Sequence, residues 1–219
     1  EERLDPREVF EMATHDAVTA LAVGKGLAET YYPSYEDDVN LLAKLNGSSD
    51  LWMGDPYSPK NWTVDYAAEL GADAIGYTIY PGVNEEPRMF EDFRPVQEAA
   101  REEDLPVAMW SYPRGQAVKS HRDESVIAYA ARMGLELGAD FTKVKYPRSK
   151  AAMAHAVRSA ADNRVLLSGG SKTSDRDFLE LVADCMDVGV SGLAVGRNVW
   201  QREDPDAILD KLEPVVFEE

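Results

Sequence analysis

The fold of this chain is decided by residues 138–147, which read Gly-Ala-Asp-Phe-Thr-Lys-Val-Lys-Tyr-Pro. A helical pattern of apolar residues, residues 124–137, ends at Gly138. Glycine is the residue that most easily adopts the left-handed conformation of a helix C-terminus. A short apolar run, Phe141–Lys145, continues to a turn at Pro147, and such a run predicts a buried strand. One helix, one glycine and one strand therefore form a structural unit here.

The same unit repeats along the chain. Gly71-Ala72-Asp73 and Gly189-Val190-Ser191 also stand between a helical pattern and an apolar run. The candidate strands are Ala17–Val23, Leu41–Leu45, Ala74–Ile79, Val107–Ser111, Phe141–Lys145, Val165–Ser168 and Gly192–Val195. The candidate helices include Pro6–Thr14, Asn61–Leu70, Phe90–Glu103, Glu124–Leu137, Lys150–Ala161, Asp175–Asp187 and Asp206–Val215. This alternation predicts βα units around a parallel sheet that is covered by helices.

Two architectures fit such a sheet, an open doubly wound sheet and a closed (β/α)₈ barrel. In a barrel the residues at all strand ends converge on one mouth, whereas an open sheet collects only those beside its switch point. Polar or reactive residues gather at many strand ends, namely Tyr80, Tyr112, Lys143, Ser168 and Arg197. We therefore predict an α/β fold, a TIM barrel that forms a single domain over residues 1–219.

The number of candidate strands is one short of a barrel. We find seven, and a TIM barrel needs eight. The missing strand should be the first, because the chain opens with a helical pattern at residues 6–14. We expect the first strand to lie upstream of residue 1, and a true seven-stranded variant is the alternative.

Lys143 carries the strongest chemical signal. A lysine inside an apolar strand is costly, because its charged amine must be desolvated or paired. Enzymes accept that cost when they need a neutral amine nucleophile, since desolvation or a neighbouring cation lowers the lysine pKa. Lys145 can supply such a cation, because alternate strand residues point the same way. We expect Lys143 to form a Schiff base with a carbonyl substrate. The alternative is two lysines whose amines extend from a strand end into solvent.

Residues 110–115, Trp-Ser-Tyr-Pro-Arg-Gly, close the strand that begins at Val107. Trp110 and Tyr112 share one face by alternation, and Tyr112 at the strand end can reach a ligand at the mouth. A phenol beside an amine nucleophile suits general acid–base work in imine chemistry. Alternatively, Tyr112 packs its ring and keeps its hydroxyl in water, and Trp110 by itself would be a core residue.

Two glycine-bearing loops are candidates for binding phosphate. Gly169 and Gly170 follow the strand that ends at Ser168, and Gly196 and Arg197 follow the last candidate strand. The loops after the seventh and eighth strands commonly bind phosphate in a TIM barrel, and an arginine there can bind phosphate through two hydrogen bonds. Glycine also serves in ordinary turns, but its occurrence at both expected strand ends favours phosphate. Neither loop is a Walker loop, because no Gly-Lys-Ser/Thr follows.

Composition excludes several classes of function. The chain has 219 residues with 40 acidic and 23 basic side chains, a net charge of −17, which argues against a nucleic-acid partner. An acidic, lysine-poor surface fits adaptation to high salt, where self-repulsion is screened. No apolar run is long enough to cross a membrane. One cysteine, Cys185, in a helical pattern, excludes an intramolecular disulfide, and we expect it to be buried.

The remaining expectations concern location and metals. The first residues resemble neither a signal peptide nor a transit peptide, so we expect a cytoplasmic protein. His15, His121 and His155 are scattered along the sequence, and we interpret all three as surface or structural residues. We expect no metal and no other cofactor.

Five segments together resemble the archaeal-type class I fructose-1,6-bisphosphate aldolases, in order and over nearly the whole chain. They are residues 76–82, Gly-Tyr-Thr-Ile-Tyr-Pro-Gly; residues 110–115; residues 143–146, Lys-Val-Lys-Tyr; residues 167–170, Leu-Ser-Gly-Gly; and residues 194–201, Ala-Val-Gly-Arg-Asn-Val-Trp-Gln. The resemblance implies a (β/α)₈ barrel, reversible cleavage of fructose 1,6-bisphosphate through a Schiff base, no metal, and assembly into large homo-oligomers.

The resemblance also implies roles for individual residues. Lys143 corresponds to the Schiff-base lysine, Tyr112 to the proton-transferring tyrosine and Trp110 to the tryptophan that lines the substrate. The positions that correspond to phosphate binding are Ser168, Gly169, Gly170, Gly196 and Arg197. We assign Arg114 and Lys145 to substrate binding as well, so the expected partner is a phosphorylated sugar.

The chain departs from the family pattern at one point. The family carries an Asp-His-Gly segment at the end of its first strand, and nothing here matches it; His15-Asp16 precedes a different strand. Two alternatives remain open. The first is a sister enzyme, 2-amino-3,7-dideoxy-D-threo-hept-6-ulosonate synthase, which uses the same lysine and tyrosine. The second is a noncatalytic sugar-phosphate-binding barrel, which the lack of that aspartate would permit.

Overall fold

The computed structural model describes residues 5–49 and 51–217. The strands are β1 (Leu21–Val23), β2 (Leu41–Lys44), β3 (Ala74–Ile79), β4 (Val107–Ser111), β5 (Phe141–Lys145), β6 (Arg164–Ser168) and β7 (Gly192–Ala194). The helices are α1 (Arg7–Ala13), α2 (Lys25–Tyr31), α3 (Val64–Glu69), α4 (Glu86–Glu102), α5 (Glu124–Glu136), α6 (Lys150–Ala160), α7 (Asp175–Met186), α8 (Arg197–Trp200) and α9 (Pro205–Phe217). A 3₁₀ turn, Tyr32–Ser34, follows α2.

All seven described strands belong to one sheet, in the order β1-β2-β3-β4-β5-β6-β7, and every neighbouring pair is parallel. A doubly wound sheet reverses its strand order at a switch point, so the sequential order excludes that alternative and confirms the curled sheet of a TIM barrel. Within residues 5–49 and 51–217, β7 is not paired with β1 and the sheet remains open there. An eighth strand upstream of residue 1 stays a prediction.

The Gly-Ala-Asp turns hold the amino-terminal ends of the strands in place. Gly71 and Gly138 end their helices with φ angles of +95° and +78°, which a side chain would strain. The carboxylate of Asp73 accepts the backbone N–H of Leu41 at 2.7 Å, and that of Asp140 accepts the N–H of Val107 at 2.8 Å. Each turn therefore ends one helix and also satisfies the first donor of the neighbouring strand.

The strands divide their side chains between two environments. In β5, Thr142 and Val144 are fully buried, whereas Lys143 and Lys145 are only partly buried. The buried set packs under the helices, and the other set points into the concave face of the sheet, as the alternation of side chains requires. The same division places Lys44 of β2 on the concave face. The helices therefore hold the sheet from outside, and polar residues line its inside.

Several predicted boundaries were wrong. The first strand begins at Leu21 rather than Ala17, because a turn precedes it in which Val18 N–H donates to the backbone oxygen of His15 at 2.8 Å. Helix α3 begins at Val64 rather than Asn61, since Thr63 caps it. Helices α2 and α8 were not predicted; α2 buries one residue, Ala28, so its sequence shows no apolar stripe.

Cys185 is buried in α7, as predicted. Among the described residues, no helix is both long and apolar enough to span a membrane. The opening residues, 1–4, from which we argued against a targeting peptide, lie outside the described part of the chain.

Candidate active site

The candidate site lies on the concave face, towards the carboxyl ends of the strands. The strand register places Lys44 beside Gly76, Trp110 beside Lys143, and Lys145 beside Ser168. Because the strands are parallel and in sequential order, these paired residues lie on the same side of the sheet, towards the open end of the barrel at the carboxyl ends of its strands. We call this open end the mouth. The sheet therefore brings together most of the residues that the sequence singled out.

The amine of Lys143 lies against the face of an indole ring. Its Nζ is 5.0 Å from the centroid of the Trp110 ring, within the range of a cation–π contact. Burial lowers the pKa of Lys143 to about 8. In the part of the chain that the structure describes, the amine makes no hydrogen bond or ion pair. An amine without acceptors and with a lowered pKa is suited to act as a neutral nucleophile.

The amine of Lys145 lies beside a different aromatic ring from that of Lys143. Burial lowers the pKa of Lys143. The amine of Lys145 lies 5.6 Å from the centre of the Tyr112 ring, and its own pKa is lowered by burial and then by the charges of Arg114, Arg122 and Arg197. The two lysines share a face, but the Lys145 side chain extends towards the mouth. The activation of Lys143 by Lys145 stays a prediction.

Lys44 is a residue of the site that sequence analysis missed. Its Nζ lies 5.3 Å from the centroid of the Trp110 ring and donates to the backbone oxygen of Asn46 at 2.5 Å and to its Oδ1 at 2.6 Å. Burial, and then the charge of Lys143, lower the pKa of Lys44 to about 7. The signal was available, because Lys44 also stands inside a predicted apolar strand.

Asn46 holds its place through a complete set of hydrogen bonds. Its side chain is 1% exposed. Its Nδ2 donates to the backbone oxygens of Ser58 and Thr78, at 2.9 and 2.8 Å, and its Oδ1 accepts the Thr78 N–H at 2.7 Å. The two oxygens that face the Lys44 amine are therefore fixed, since moving them would leave buried polar groups unpaired.

The Trp110 ring fits beside β3 because residue 76 has no side chain. A Cβ built on Gly76 would lie 2.7 Å from the Trp110 ring and 2.5 Å from Leu42. Both distances are well below van der Waals contact, so any larger residue would displace the indole. Gly76 of β3 therefore leaves room for the Trp110 ring, which both lysine amines contact.

Tyr112 and Ser168 are brought together across the mouth. The two hydroxyl oxygens are 3.2 Å apart, within hydrogen-bonding distance. Burial raises the pKa of Tyr112 to about 12, although the hydrogen bond with Ser168 acts in the opposite direction. The phenol is therefore protonated at neutral pH, and this group can donate a proton to a bound substrate.

The two predicted phosphate loops are tied to each other by Asn198, which sequence analysis did not single out. Asn198 Nδ2 donates to the backbone oxygens of Gly169 and Ser171 at 2.6 and 3.0 Å, and its Oδ1 accepts the Thr173 N–H at 3.0 Å. Gly170 has a φ of +66°, which favours glycine. The Asn–Val–Trp run after Arg197 contained the signal, but a buried amide cannot be told from a surface one by sequence alone.

Positive charge gathers at the mouth of a strongly acidic chain. A cavity of about 350 Å³ there is lined by Pro56, Pro113, Arg114, Gly115, Val118, His121 and Lys145. The charge of Lys145, with smaller contributions that include Arg122, lowers the pKa of His121. Such a cluster of cations suits an anionic ligand, because it concentrates positive potential in a cleft.

The histidines do not form a metal site. His15 pairs with Asp210 and His155 with Glu124, while His121 lines the cavity instead of being a plain surface residue. Within residues 5–49 and 51–217 no group of three or more His, Cys, Asp or Glu side chains could hold a metal ion.

The sequence matches the family described as DeoC/LacD family aldolase over residues 1–202. The chain belongs to this family. The class 1 fructose-bisphosphate aldolase of Halobacterium salinarum is 66% identical to this aldolase over 215 residues, 98% of this chain and 82% of that protein. The resemblance that the five sequence segments indicated is thereby confirmed.

Solved structures agree with this assignment. The crystal structure of an archaeal fructose 1,6-bisphosphate aldolase matches this aldolase with a TM-score of 0.94 and 41% identity, over 98% of this chain and 84% of that one. A structure of such an enzyme whose catalytic lysine is covalently bound to the carbinolamine intermediate matches with a TM-score of 0.93, 41% identity, and coverage of 97% and 84%. The (β/α)-barrel fold is thus shown by both architecture and comparison.

A synthase with a related name is a more distant relative. The 2-amino-4,5-dihydroxy-6-oxo-7-(phosphonooxy)heptanoate synthase of Streptomyces griseus is 33% identical over 216 residues, 98% of this chain and 77% of that protein. An identity half that of the Halobacterium aldolase favours the aldolase reading.

Proposed function

We propose that this protein is a class I, metal-independent fructose-1,6-bisphosphate aldolase that reversibly forms dihydroxyacetone phosphate and glyceraldehyde 3-phosphate. The observation that carries the proposal is the Lys143 amine, which faces the concave side of the barrel without a partner among the described residues and has its pKa lowered to about 8. The relatives that are class I aldolases support the same chemistry. The reaction follows from the residues around this amine.

The first step is addition of the neutral Lys143 amine to the ketone carbon. A carbon–nitrogen bond forms, the ketone oxygen takes up a proton, and the resulting carbinolamine loses water to give an iminium ion. The indole face of Trp110, 5.0 Å from the amine, stabilises the positive charge of the iminium through its π electrons. The iminium is the electron sink that cleavage requires.

Tyr112 carries protons between the steps. As a neutral phenol it donates a proton to the carbinolamine hydroxyl, which leaves as water, and the phenolate then accepts the proton of the C4 hydroxyl. The C3–C4 bond breaks, glyceraldehyde 3-phosphate leaves, and the electron pair forms an enamine. Protonation of the enamine at C3 and hydrolysis of the iminium release dihydroxyacetone phosphate and restore Lys143. The hydrogen bond between Tyr112 and Ser168 orients the phenol for these transfers.

The phosphate groups of the substrate are bound at the mouth. Ser168 and the backbone of Gly169, Gly170 and Gly196, with the guanidinium of Arg197, form one anion site, in loops that Asn198 holds together. Arg114 and Lys145 add positive charge beside the cavity of about 350 Å³. Phosphate anchoring holds the ketone carbon near Lys143, and this positioning lowers the barrier to addition.

Borohydride trapping tests the proposal directly. The full-length protein is incubated with fructose 1,6-bisphosphate and sodium borohydride in high salt, and peptides are analysed by mass spectrometry. We expect a reduced sugar-phosphate adduct on Lys143, and we expect Lys143→Ala to abolish both the adduct and turnover while the circular dichroism spectrum is unchanged. Lys25→Ala is the matched control, because Lys25 also contacts an aromatic ring, Tyr66, but on the surface.

The outcomes separate the alternatives. Cleavage of fructose 1,6-bisphosphate with an adduct on Lys143 supports the aldolase. An adduct without cleavage would turn the assignment to the heptulosonate synthase. A folded protein that binds the sugar phosphate without any adduct would be the noncatalytic barrel and would overturn the proposal.

Assembly, location and salt dependence belong to the same proposal. We propose a single-domain cytoplasmic enzyme that forms a large homo-oligomer and is adapted to high salt. The net charge of −17 and the exposed apolar side chains of Leu51, Trp52 and Met53 support salt adaptation and self-association respectively. Sedimentation velocity in high salt tests the assembly, and a monomer at working concentration would contradict it.

A further inference from the structure

We propose that Lys44 is a positioning residue for the Schiff-base reaction: its ammonium, held by Asn46 near the Trp110 ring, is the fixed cation that favours the neutral amine of Lys143. The inference rests on the proposed aldolase function and deepens it. In this proposal the cation beside Lys143 comes from Lys44 on β2. It does not come from Lys145 on β5, whose side chain extends towards the mouth.

The geometry places the two amines against one aromatic ring. Lys44 Nζ is 5.3 Å and Lys143 Nζ 5.0 Å from the centroid of Trp110. Their charges interact, since the charge of Lys143 lowers the pKa of Lys44. Such an interaction is mutual, because the repulsion between two ammonium groups disfavours the charged form of each. A charge on Lys44 therefore opposes protonation of Lys143.

The hydrogen bonds of Lys44 to Asn46 favour the charged form of Lys44. Lys44 donates to two oxygens of Asn46 at 2.5 and 2.6 Å, and an ammonium group forms stronger hydrogen bonds to such oxygens than a neutral amine does. No described residue accepts a hydrogen bond from Lys143. Burial lowers the pKa of Lys44 to about 7, below the value of about 8 for Lys143, and this order by itself would leave the proton on Lys143. The two oxygens of Asn46 reverse this order, because hydrogen bonds to a charged group are the strong ones.

The surroundings of Lys44 contain no described carboxylate that could cancel this charge. The carboxylate of Asp73 contacts β2 at the opposite end of the strand, where it accepts the N–H of Leu41. On β3 the neighbouring position is Gly76, and on β4 the contact is the Trp110 ring. The titratable group that acts on Lys44 is Lys143 of β5. A charge on Lys44 would therefore act on Lys143 without a described carboxylate to cancel it.

The fixed charge also assists the step that follows. The iminium on Lys143 is itself a cation, and a neighbouring cation strengthens its pull on the electrons of the C3–C4 bond. Trp110 offsets part of the repulsion, because the π face of its ring attracts a nearby positive charge. The phosphate groups of the bound substrate offset the rest.

The test is a titration of Lys143 that does not need catalysis. Full-length protein is labelled briefly with acetic anhydride across a range of pH, and mass spectrometry follows acetylation of the Lys143 peptide. Two variants remove the charge: Lys44→Met, and Lys44→Gln, which keeps a hydrogen-bond donor for Asn46. We expect the apparent pKa of Lys143 to rise by about one unit in both, which is about a tenfold loss of neutral amine near pH 7.

Three further variants serve as comparisons. Lys44→Arg keeps the cation and should keep the apparent pKa of Lys143 close to its original value. Lys145→Met removes the neighbouring cation on the same strand; we expect a higher KM and an unchanged pKa of Lys143. Lys25→Met removes a surface lysine that lies 4.8 Å from an aromatic ring and should change neither.

The outcomes separate this inference from the proposed function. An unchanged pKa of Lys143 in both Lys44→Met and Lys44→Gln, or an equal rise in Lys145→Met, would overturn the inference and leave Lys44 as a support for Asn46. Borohydride trapping of the unaltered protein, run in parallel, reports the Schiff base independently. Absence of an adduct there would count against the aldolase function, whatever the titration shows. If the aldolase is active, Lys44→Gln should lose activity near pH 7 and regain most of it at alkaline pH.

Discussion

The side-chain amide of Asn198 donates to the backbone oxygen of Gly169 at 2.6 Å and so joins the loop after β7 to the loop after β6. The same side chain holds Ser171 and Thr173 and is 1% exposed. Both loops belong to the proposed phosphate site, so one buried amide determines how their backbone N–H groups and Arg197 converge. Disruption of this amide should therefore affect phosphate binding from a position that does not itself contact the substrate.

Asn198→Ala should weaken phosphate binding. We expect KM to rise by about tenfold or more, because misplaced binding groups are costly, and the free energy of unfolding to fall by about 1–3 kcal/mol, because buried polar groups are left unpaired. Steady-state kinetics and inhibition by inorganic phosphate measure the first effect, and urea unfolding the second.

Asn163→Ala is the matched control for this variant. Asn163 is also buried and makes two hydrogen bonds of 2.5 Å, with Thr142 Oγ1 and with the backbone oxygen of Ala139, but it lies near the amino end of β6. We expect a similar loss of stability with an unchanged affinity for phosphate. Equal changes of KM in the two variants would contradict the role of Asn198.

Gly76→Ala should displace Trp110. The added methyl group would meet the indole ring at 2.7 Å and Leu42 at 2.5 Å, and overpacking of this kind costs about 1–3 kcal/mol. We expect lower stability, a changed Trp110 environment in near-ultraviolet circular dichroism, and a fall in kcat. Gly26→Ala, where the methyl group would meet nothing within 4 Å, should have none of these effects; a fully active Gly76→Ala would show that the indole position is unimportant.

Tyr112→Phe should separate proton transfer from Schiff-base formation. We expect kcat for cleavage to fall by about 10²–10⁴-fold, the usual contribution of a general acid–base group, while the folded structure persists. Ser168→Ala should have a smaller effect on kcat, since it removes the hydrogen bond of 3.2 Å but keeps the phenol; its KM should rise, because Ser168 also belongs to the proposed anion site. Tyr129→Phe is the control, because Tyr129 is 66% exposed on α5; cleavage at the original rate in Tyr112→Phe would exclude the phenol from the mechanism.

Lys143 should make the folded state more stable as the pH rises. Its pKa is lowered from 10.5 to about 8 by burial, so the unfolded chain binds more protons than the folded protein between these values, and stability increases with pH in that window. Lys143→Met removes the cost of a buried charge and should raise Tm near neutral pH.

Measuring the Tm of Lys143→Met and of the unaltered protein across pH tests the direction of this effect. The gain in Tm of Lys143→Met should shrink above about pH 8 and vanish near the unfolded pKa of 10.5. Lys25→Met should show no such dependence, since Lys25 is exposed and paired with Glu29 at 3.9 Å. A Tm difference for Lys143→Met that does not vary with pH would mean that its amine is not desolvated in the folded protein.

Prediction from sequence succeeded where a signal is local. The glycine that ends a helix, the short apolar run that follows and the carboxylate between them lie within a few residues of each other, and the turn at Gly138-Ala139-Asp140 has the predicted structure. The parallel sheet follows from the repetition of that unit, and Lys143 stands out because a charged residue inside a buried strand is rare. Where the local signal is weak, as in α2 with one buried residue, the element was missed.

The sequence by itself therefore determined the barrel-type fold and the family of this protein, and it singled out Lys143 as the expected nucleophile. Only the tertiary structure decided that the amines of Lys44 and Lys143 lie near the same Trp110 ring while that of Lys145 lies near Tyr112, and that Asn198 joins the two proposed phosphate loops. The physical reason is that alternation along a strand specifies which face a residue lies on but not where a long, flexible side chain extends. That direction depends on neighbours such as Gly76, Asn46 and Trp110, which come from other strands and from the loop after β2.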